Sequence, residues 1–134
     1  MFLIDTNIFL EVMLSQARSR ECKALLNSVK NGDVKAVVTD FSIYSIMLIM
    51  LSNSKVSELK TFLSSLSAYK GLIIYRNRIT DMLKAVETVE KKGLDIDDAI
   101  RYSAAIAAGV KAIVTFDKHF EGLDIPRAEP AQLI

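Results

Sequence analysis

Three aspartates carry the chemistry that this sequence could perform. Asp5 closes the apolar run Phe2, Leu3, Ile4, Asp98 opens an alanine-rich helical segment, and Asp117 lies two residues beyond Thr115, after the apolar run 112–114. Singly, each has an ordinary explanation: Asp5 as a helix cap, Asp98 as a favourable charge at a helix start, Asp117 as a turn residue. Jointly they mean more, because clustered carboxylates repel one another and cost stability unless a cation neutralises them. With one histidine and one cysteine in the chain, the donors on offer are hard carboxylate oxygens. Such donors suit Mg²⁺ or Mn²⁺.

For these acids to meet, other elements must bring them together. Phe2, Leu3 and Ile4 read as a short buried strand that passes into a helix at Thr6 and Asn7, with Ile8, Phe9, Val12 and Met13 at helical spacing. Cys22, Leu25, Leu26 and Val29 form one face of a second helix from Arg18 to about Lys30, stopped by Asn31 and Gly32. Residues 36–38 predict a second strand, closed by Thr39 and Asp40. The helix after it, over 41–51, is apolar nearly all round, and so is either central to the core or part of a subunit interface.

Val56, Leu59, Phe62, Leu63 and Leu66 mark a fourth helix, and residues 72–75 a third strand. Met82, Leu83, Val86 and Val89 predict the buried stripe of a fifth helix ending at Gly93. Asp95 to Asp98 open a sixth, whose body over 99–108 is rich in alanine, ends on Gly109 and lets another element approach closely. Residues 112–114 are a fourth strand, and a last edge strand falls near 126–128.

Short apolar runs separated by helices predict an α/β fold, with helices on both faces of a central parallel sheet of four or five short strands. Such sheets place functional groups beyond the carboxyl ends of the strands, near the point where strand order reverses. If the first and fourth strands are neighbours, Asp5 and Asp117 share one edge of the sheet. No repeat, low-complexity segment or linker divides the chain, so a single domain over 1–134 is expected.

Lys and Arg number 17 against 16 Asp and Glu, so net charge gives no global pull toward nucleic acid or membrane. Any nucleic-acid surface has to come from local clustering. The lone Cys22 excludes a disulfide framework and a cysteine-rich zinc site, and its place in a helical stripe predicts a small buried side chain. No basic region precedes the first apolar run and no apolar stretch approaches a membrane span, so a cytoplasmic protein is expected.

Four segments carry a resemblance: IDTNIFL at 4–10, VTDFS at 38–42, LDIDDAIRYSAAIAAG at 94–109 and IVTFDKHF at 113–120. In this order and spacing the chain resembles the PIN domain family, the nuclease fold of VapC-type toxins, over nearly its whole length. The resemblance implies a three-layer α/β/α PIN-like domain. It implies that Asp5 and Asp98 are metal ligands and that Asp117 is a third ligand or holds metal-bound water, with Thr6, Asn7 and Thr115 orienting those carboxylates. Asp97 rivals Asp98, and since one helical step turns a side chain by about 100°, only one of them can face the cleft.

The activity implied is Mg²⁺- or Mn²⁺-dependent hydrolysis of RNA phosphodiester bonds by an endoribonuclease, the toxin of a type II toxin–antitoxin pair. A small antitoxin partner and a homodimer are implied with it. Relatives usually carry a further acid on the helix after the second strand, where this chain has Ser45 and no acid over 41–51. Asp40 and Glu11 are the nearest substitutes, Asp40 reading as a helix cap and Glu11 as a solvated residue. That gap motivates an alternative, a catalytically weakened PIN domain acting as an RNA-binding or assembly module. For RNA contact the basic residues are Arg76, Arg78, Arg101 and Lys118, although Arg101, three residues after Asp98, could instead meet that carboxylate. His119, beside Phe120 on a short turn, reads as solvated or packing and is left out of the mechanism.

Overall fold

The computed structural model describes residues 1–134. Its strands are β1 (Phe2–Ile4), β2 (Ala36–Thr39), β3 (Leu72–Tyr75), β4 (Ala112–Val114) and β5 (Arg127–Ala128), all parallel and in the order β3-β2-β1-β4-β5. The helices are α1 (Thr6–Met13), α2 (Ser19–Asn31), α3 (Asp40–Ser52), α4 (Val56–Leu66), α5 (Ile79–Lys92) and α6 (Ile96–Ala108). A short 3₁₀ turn, Lys118–Phe120, follows β4. No helix is long and apolar enough to cross a membrane.

The chain moves outward from β1 to β2 and β3, then returns to lay β4 on the other side of β1. Strand order therefore reverses between β1 and β4, which is where an open parallel sheet leaves a crevice. Ile4 pairs with Val114, and the Asp5 N–H donates to the Val114 carbonyl at 3.0 Å. Residues that follow the two strands thus emerge side by side.

Both faces of the sheet are covered, and the alternation of side chains along each strand feeds two cores. Ile4, Val38 and Val114 pack with Ile8, Phe9, Leu25, Ile46 and Phe62 from α1 to α4. Leu3, Val37 and Ile113 pack on the opposite side with Tyr102, Ala104 and Ala105 of α6 and with Phe120. Gly32 ends α2 in the left-handed region at φ 87°, as the sequence predicts. A side chain at Gly71, just before β3, would collide with the carbonyl oxygens of Val34 and Val29.

Two apolar segments behave differently from what their composition suggests. The expected buried stripe of α5 is not buried: Met82, Leu83 and Val86 are 47%, 60% and 54% exposed, and Val89 is half-buried. The helix instead buries Asp81 and Ala85, turning a small residue toward the alanine-rich α6. In α3 only Ser42, Ile46 and Met50 are buried, while Tyr44, Leu48 and Leu51 face outward. Of the two readings of that helix, core centre fails and an unpartnered surface remains.

Candidate metal centre

The three aspartates converge at the β1–β4 crevice, each placed by the element it starts. Asp5 is the N-cap of α1, its Oδ1 accepting the Thr6 N–H at 2.7 Å. Asp117 caps the 3₁₀ turn, its Oδ1 accepting the His119 N–H at 2.8 Å. Asp98 lies in the first turn of α6 and is buried, whereas Asp97 is exposed. Helical geometry thus selects Asp98 over Asp97 as the inward acid. The capping explanations for Asp5 and Asp117 hold.

The inner half of the cleft is closed around Asp5, which is 4% exposed. Its Oδ2 accepts the Thr115 hydroxyl at 2.8 Å, and its Oδ1 lies 2.9 Å from Nε of Arg101. Thr115 is itself complete: beyond donating to Asp5, its oxygen accepts the Asp117 N–H at 2.9 Å and Nδ2 of Asn7 at 3.3 Å. One hydroxyl therefore fixes Asp5, Asp117 and Asn7 relative to one another, using its single donor and both acceptor sites. Oδ1 of Asn7 is the one buried side-chain polar atom without a hydrogen-bond partner.

Arg101 is also buried. Nη2 donates to the Thr6 hydroxyl at 3.0 Å, Nε reaches the Ser42 hydroxyl at 3.3 Å as well as Asp5, and the guanidinium lies 5.3 Å from the centre of the Phe41 ring. Nη1 stands 3.9 Å from Oδ1 of Asp98, so Arg101 touches one aspartate closely and a second loosely. Of the two readings of Arg101, the ion pair with Asp98 is present, with Asp5 as a second and closer carboxylate.

The outer half contains Asp98, Asp117 and His119. Nδ1 of His119 lies 3.1 Å from Oδ2 of Asp98 and 3.2 Å from Oδ1 of Asp117. One donor atom from each residue lies within 4.8 Å of the others, a spacing that fits a single ion. Burial raises the pKa of Asp98 above the ordinary carboxylate range, with the Asp117 charge adding to the rise and His119 opposing it. The hydrogen bond to Asp98 raises the pKa of His119, and the charges of Asp117 and Asp98 add to it. A hollow of about 350 Å³ lined by Gly93, Leu94, Asp95, Asp98 and His119 opens this half to solvent.

The donor chemistry fits a divalent ion at Asp98 and Asp117. Asp5 accepts one hydrogen bond on each oxygen, from Thr6 and from Thr115, which leaves acceptor capacity on both. Sequence reasoning missed two participants, His119 and the inward-facing Arg101. The signal for His119 was its two-residue spacing from Asp117 across a tight turn, which brings the ring back over the carboxylate.

The remaining candidates lie elsewhere. Ser45 donates back to the Phe41 carbonyl at 3.0 Å, and Ser42, one turn earlier, is the α3 residue that meets the site. Asp40 accepts from Phe41 N–H and from Nδ2 of Asn77 at 2.7 Å, pinning α3 to the loop after β3. Glu11 accepts the Arg18 N–H at 2.9 Å. Neither hydrogen-bonds to Asp5, Asp98 or Asp117. Arg76 and Lys118 are exposed, while Arg78 is exposed but held by Asp81, Nε to Oδ2, at 3.2 Å. Burial pushes the Cys22 thiol up to about 12, as suits an inert core residue.

The fold has counterparts among known proteins. A toxin–antitoxin complex from Klebsiella pneumoniae is similar with a TM-score of 0.73 at 20% identity, over 97% of this chain and 98% of that one. Mycobacterium tuberculosis VapC20, a Sarcin-Ricin loop cleaving toxin, gives 0.77 at 11% identity over 93% and 96% of the two chains. VapBC2 from Rickettsia felis, bound to a DNA fragment from its promoter, gives 0.69 at 18% over 96% and 97%. Identities this low speak to the fold. No curated protein matches the sequence significantly. The family model for the PIN domain matches residues 2–126, and the chain belongs to that family.

Proposed function

We propose that this chain is a metal-dependent endoribonuclease, using Mg²⁺ or Mn²⁺, and the toxin of a type II toxin–antitoxin pair. The observation that carries the reading is the convergence of Asp5, Asp98 and Asp117, remote in sequence, at the β1–β4 switch point. Fold similarity to a toxin–antitoxin complex and to a Sarcin-Ricin loop cleaving toxin supports it. A cytoplasmic setting and a small antitoxin partner belong to the same reading. So does a homodimer, for which the outward Tyr44, Leu48 and Leu51 of α3 and Leu83 of α5 offer apolar surface.

Asp5, Asp98 and Asp117 would hold the ion, and Thr6, Asn7 and Thr115 would keep those carboxylates in place. A bound divalent ion supplies Lewis-acid polarisation of the phosphodiester and makes water acidic enough to attack near neutral pH. Asp117 is the most exposed of the three, and its Oδ1 is fixed by the His119 N–H. Its carboxylate would take a proton from attacking water. No protein nucleophile is required. Lys118, next to Asp117, and Arg76 face solvent where an RNA backbone could meet them.

The test incubates purified protein with mixed single-stranded RNAs, with and without Mn²⁺, beside Asp98→Asn. Cleavage should require the metal and fall by about a hundredfold in the variant, the order of loss seen when a site's electrostatic or metal-supporting groups are removed. Cleavage indifferent to both changes would be contamination. RNA binding without cleavage would favour the alternative module, which the absence of a carboxylate from the inward side of α3, where Ser42 meets the site, also favours.

A further inference from the structure

Thr115 ties Asp5, Asp117 and Asn7 together through its side-chain oxygen, and its backbone is tied elsewhere. The Thr115 N–H donates to the Ala128 carbonyl at 3.0 Å, and the Thr115 carbonyl accepts Nη1 of Arg127 at 3.1 Å. Both main-chain groups of a fully buried residue are thus met by β5, an edge strand of two residues. So short a strand has few ladder bonds, and the side chains around it carry much of its placement.

Those side chains form a network centred on Glu129. Oε2 accepts Nη2 of Arg127 at 3.2 Å, and Oε1 accepts Nη2 of Arg18. Arg18, just before α2, holds its guanidinium 3.8 Å from the centre of the Phe116 ring, and its N–H donates to Glu11 at 2.9 Å. Phe116 stands between Thr115 and Asp117 and packs against the core on the side of α1 to α4. The segment 115–117 is therefore gripped twice, at its first carbonyl by Arg127 and at its middle ring by Arg18. One carboxylate joins the two grips. Isolated surface ion pairs contribute little, but the Arg127 side chain is only 15% exposed and serves a network, whereas its other partner, Glu121, is 57% exposed.

We propose that Arg18, Glu129 and Arg127 are positioning residues, a clamp that holds the segment 115–117 and so sets where Asp117 stands relative to Asp5 and Asp98. The inference rests on the reading of those acids as a metal-dependent hydrolytic site, and adds the residues that aim one of them. None of the three bonds to an aspartate of the site; they act through Thr115 and Phe116. A misplacement of about 1 Å can cost about a hundredfold in rate, so a clamp remote from the chemistry registers in turnover.

Glu129→Gln tests it, because the variant keeps the size of the side chain, removes the charge that the two arginines share and deletes no basic group. Amide hydrogen exchange on the metal-free chain reads the clamp directly. The N–H groups of Asp117 and His119 report the placement of this segment. They should exchange roughly tenfold faster, the scale of one charge-assisted hydrogen bond, while those of Leu3 and Val37 in β1 and β2 keep their rates. Mn²⁺ affinity by calorimetry should fall roughly tenfold, as for an outer partner of a ligand, and kcat for RNA cleavage by a similar factor, with KM within about twofold. Glu121→Gln, at the exposed arm, should match the parent in every measurement. Arg127→Lys should resemble Glu129→Gln, since an ammonium lacks the fixed fork that meets the Thr115 carbonyl and Glu129 together.

Unchanged exchange at Asp117 and His119 in Glu129→Gln would overturn the inference. Equal acceleration at Leu3 and Val37 would do so too, by making the network a general brace. So would a fall in KM at unchanged kcat, which would make Arg18 and Arg127 RNA-binding groups that Glu129 restrains. The nuclease reading fails separately. A parent chain that binds no Mn²⁺ and cleaves no RNA refutes that reading, and the exchange rates still decide whether the clamp exists. Metal-dependent cleavage by a parent whose Glu129→Gln variant exchanges and turns over normally refutes the clamp and leaves the nuclease standing.

Discussion

Two arginine–aspartate pairs hold helix starts in this chain, and they differ in where the arginine lies. At α5, Asp81 is buried with a side chain 1% exposed, while Arg78 is 69% exposed. In the cleft both partners are buried, Arg101 at 9% and Asp5 at 6% of side-chain area. Asp81 also accepts the Tyr75 hydroxyl and the Arg78 N–H, each at 2.8 Å, so it keeps two donors if the guanidinium moves into water. Arg101 has no such exit. A solvated guanidinium tunes its neighbour, whereas a buried one becomes part of what the cleft is.

The largest effect should come from breaking the buried pair. Arg101→Met leaves the buried Asp5 charge without its counter-ion and is expected to lower unfolding free energy by about 3–5 kcal/mol, whereas loss of the exposed partner in Arg78→Ala should cost far less. Urea denaturation followed by circular dichroism measures both. Adding Asp5→Asn to Arg101→Met should recover much of the loss, since removing a whole buried pair costs far less than removing one member. Equal losses in Arg101→Met and Arg78→Ala would erase the distinction between the pairs.

The next effect reads the solvated pair through pH. Hydrogen bonding by the Arg78 guanidinium is the main reason the Asp81 carboxyl is lowered to about 2. A depressed carboxylate contributes stability that is complete above its unfolded pKa of about 4 and is lost as pH falls through the folded value. Asp81 should therefore stabilise the chain at neutral pH and cease to do so between about pH 4 and 2. Asp81→Asn should lower stability by about 1–3 kcal/mol at pH 7, by leaving its buried donors poorly matched, and should flatten that acid limb. An acid limb as steep as that of the parent chain would remove Asp81 as its source.

These pairs also mark where sequence reasoning reached and where it stopped. The strands, the parallel sheet and the three aspartates were legible because each acid stands at the end of an apolar run or the start of a helical stripe. Asp98 could not be separated from Asp97 in one dimension, since the choice depends on how α6 is rotated against the sheet. The α5 stripe misled because four large apolar residues outweigh one alanine in any periodicity count, yet Ala85 is what a close approach to α6 selects. Arg101 was read through its neighbour Asp98, three residues away. Its closer partners lie at the start of α1, Thr6 being 95 positions earlier in the chain, and only the strand order brings them together.

The smallest effect concerns which arginines RNA can reach. Arg76 and Arg78 follow β3 at the carboxyl edge of the sheet and are exposed, so they can neutralise phosphates and release counterions. Each phosphate contact contributes roughly 0.7–0.9 to the slope of log affinity against log salt. Arg76→Ala/Arg78→Ala should therefore lower that slope by up to about 2, with affinity at moderate salt falling alongside it. Arg101→Lys, which keeps the charge inside the cleft, should leave the slope where it was. If the double variant has the parent slope, the RNA path runs past Lys118 instead. If Arg101→Lys changes it, the buried guanidinium turns outward when RNA binds, and the contrast between the two pairs fails at the point where it matters for substrate.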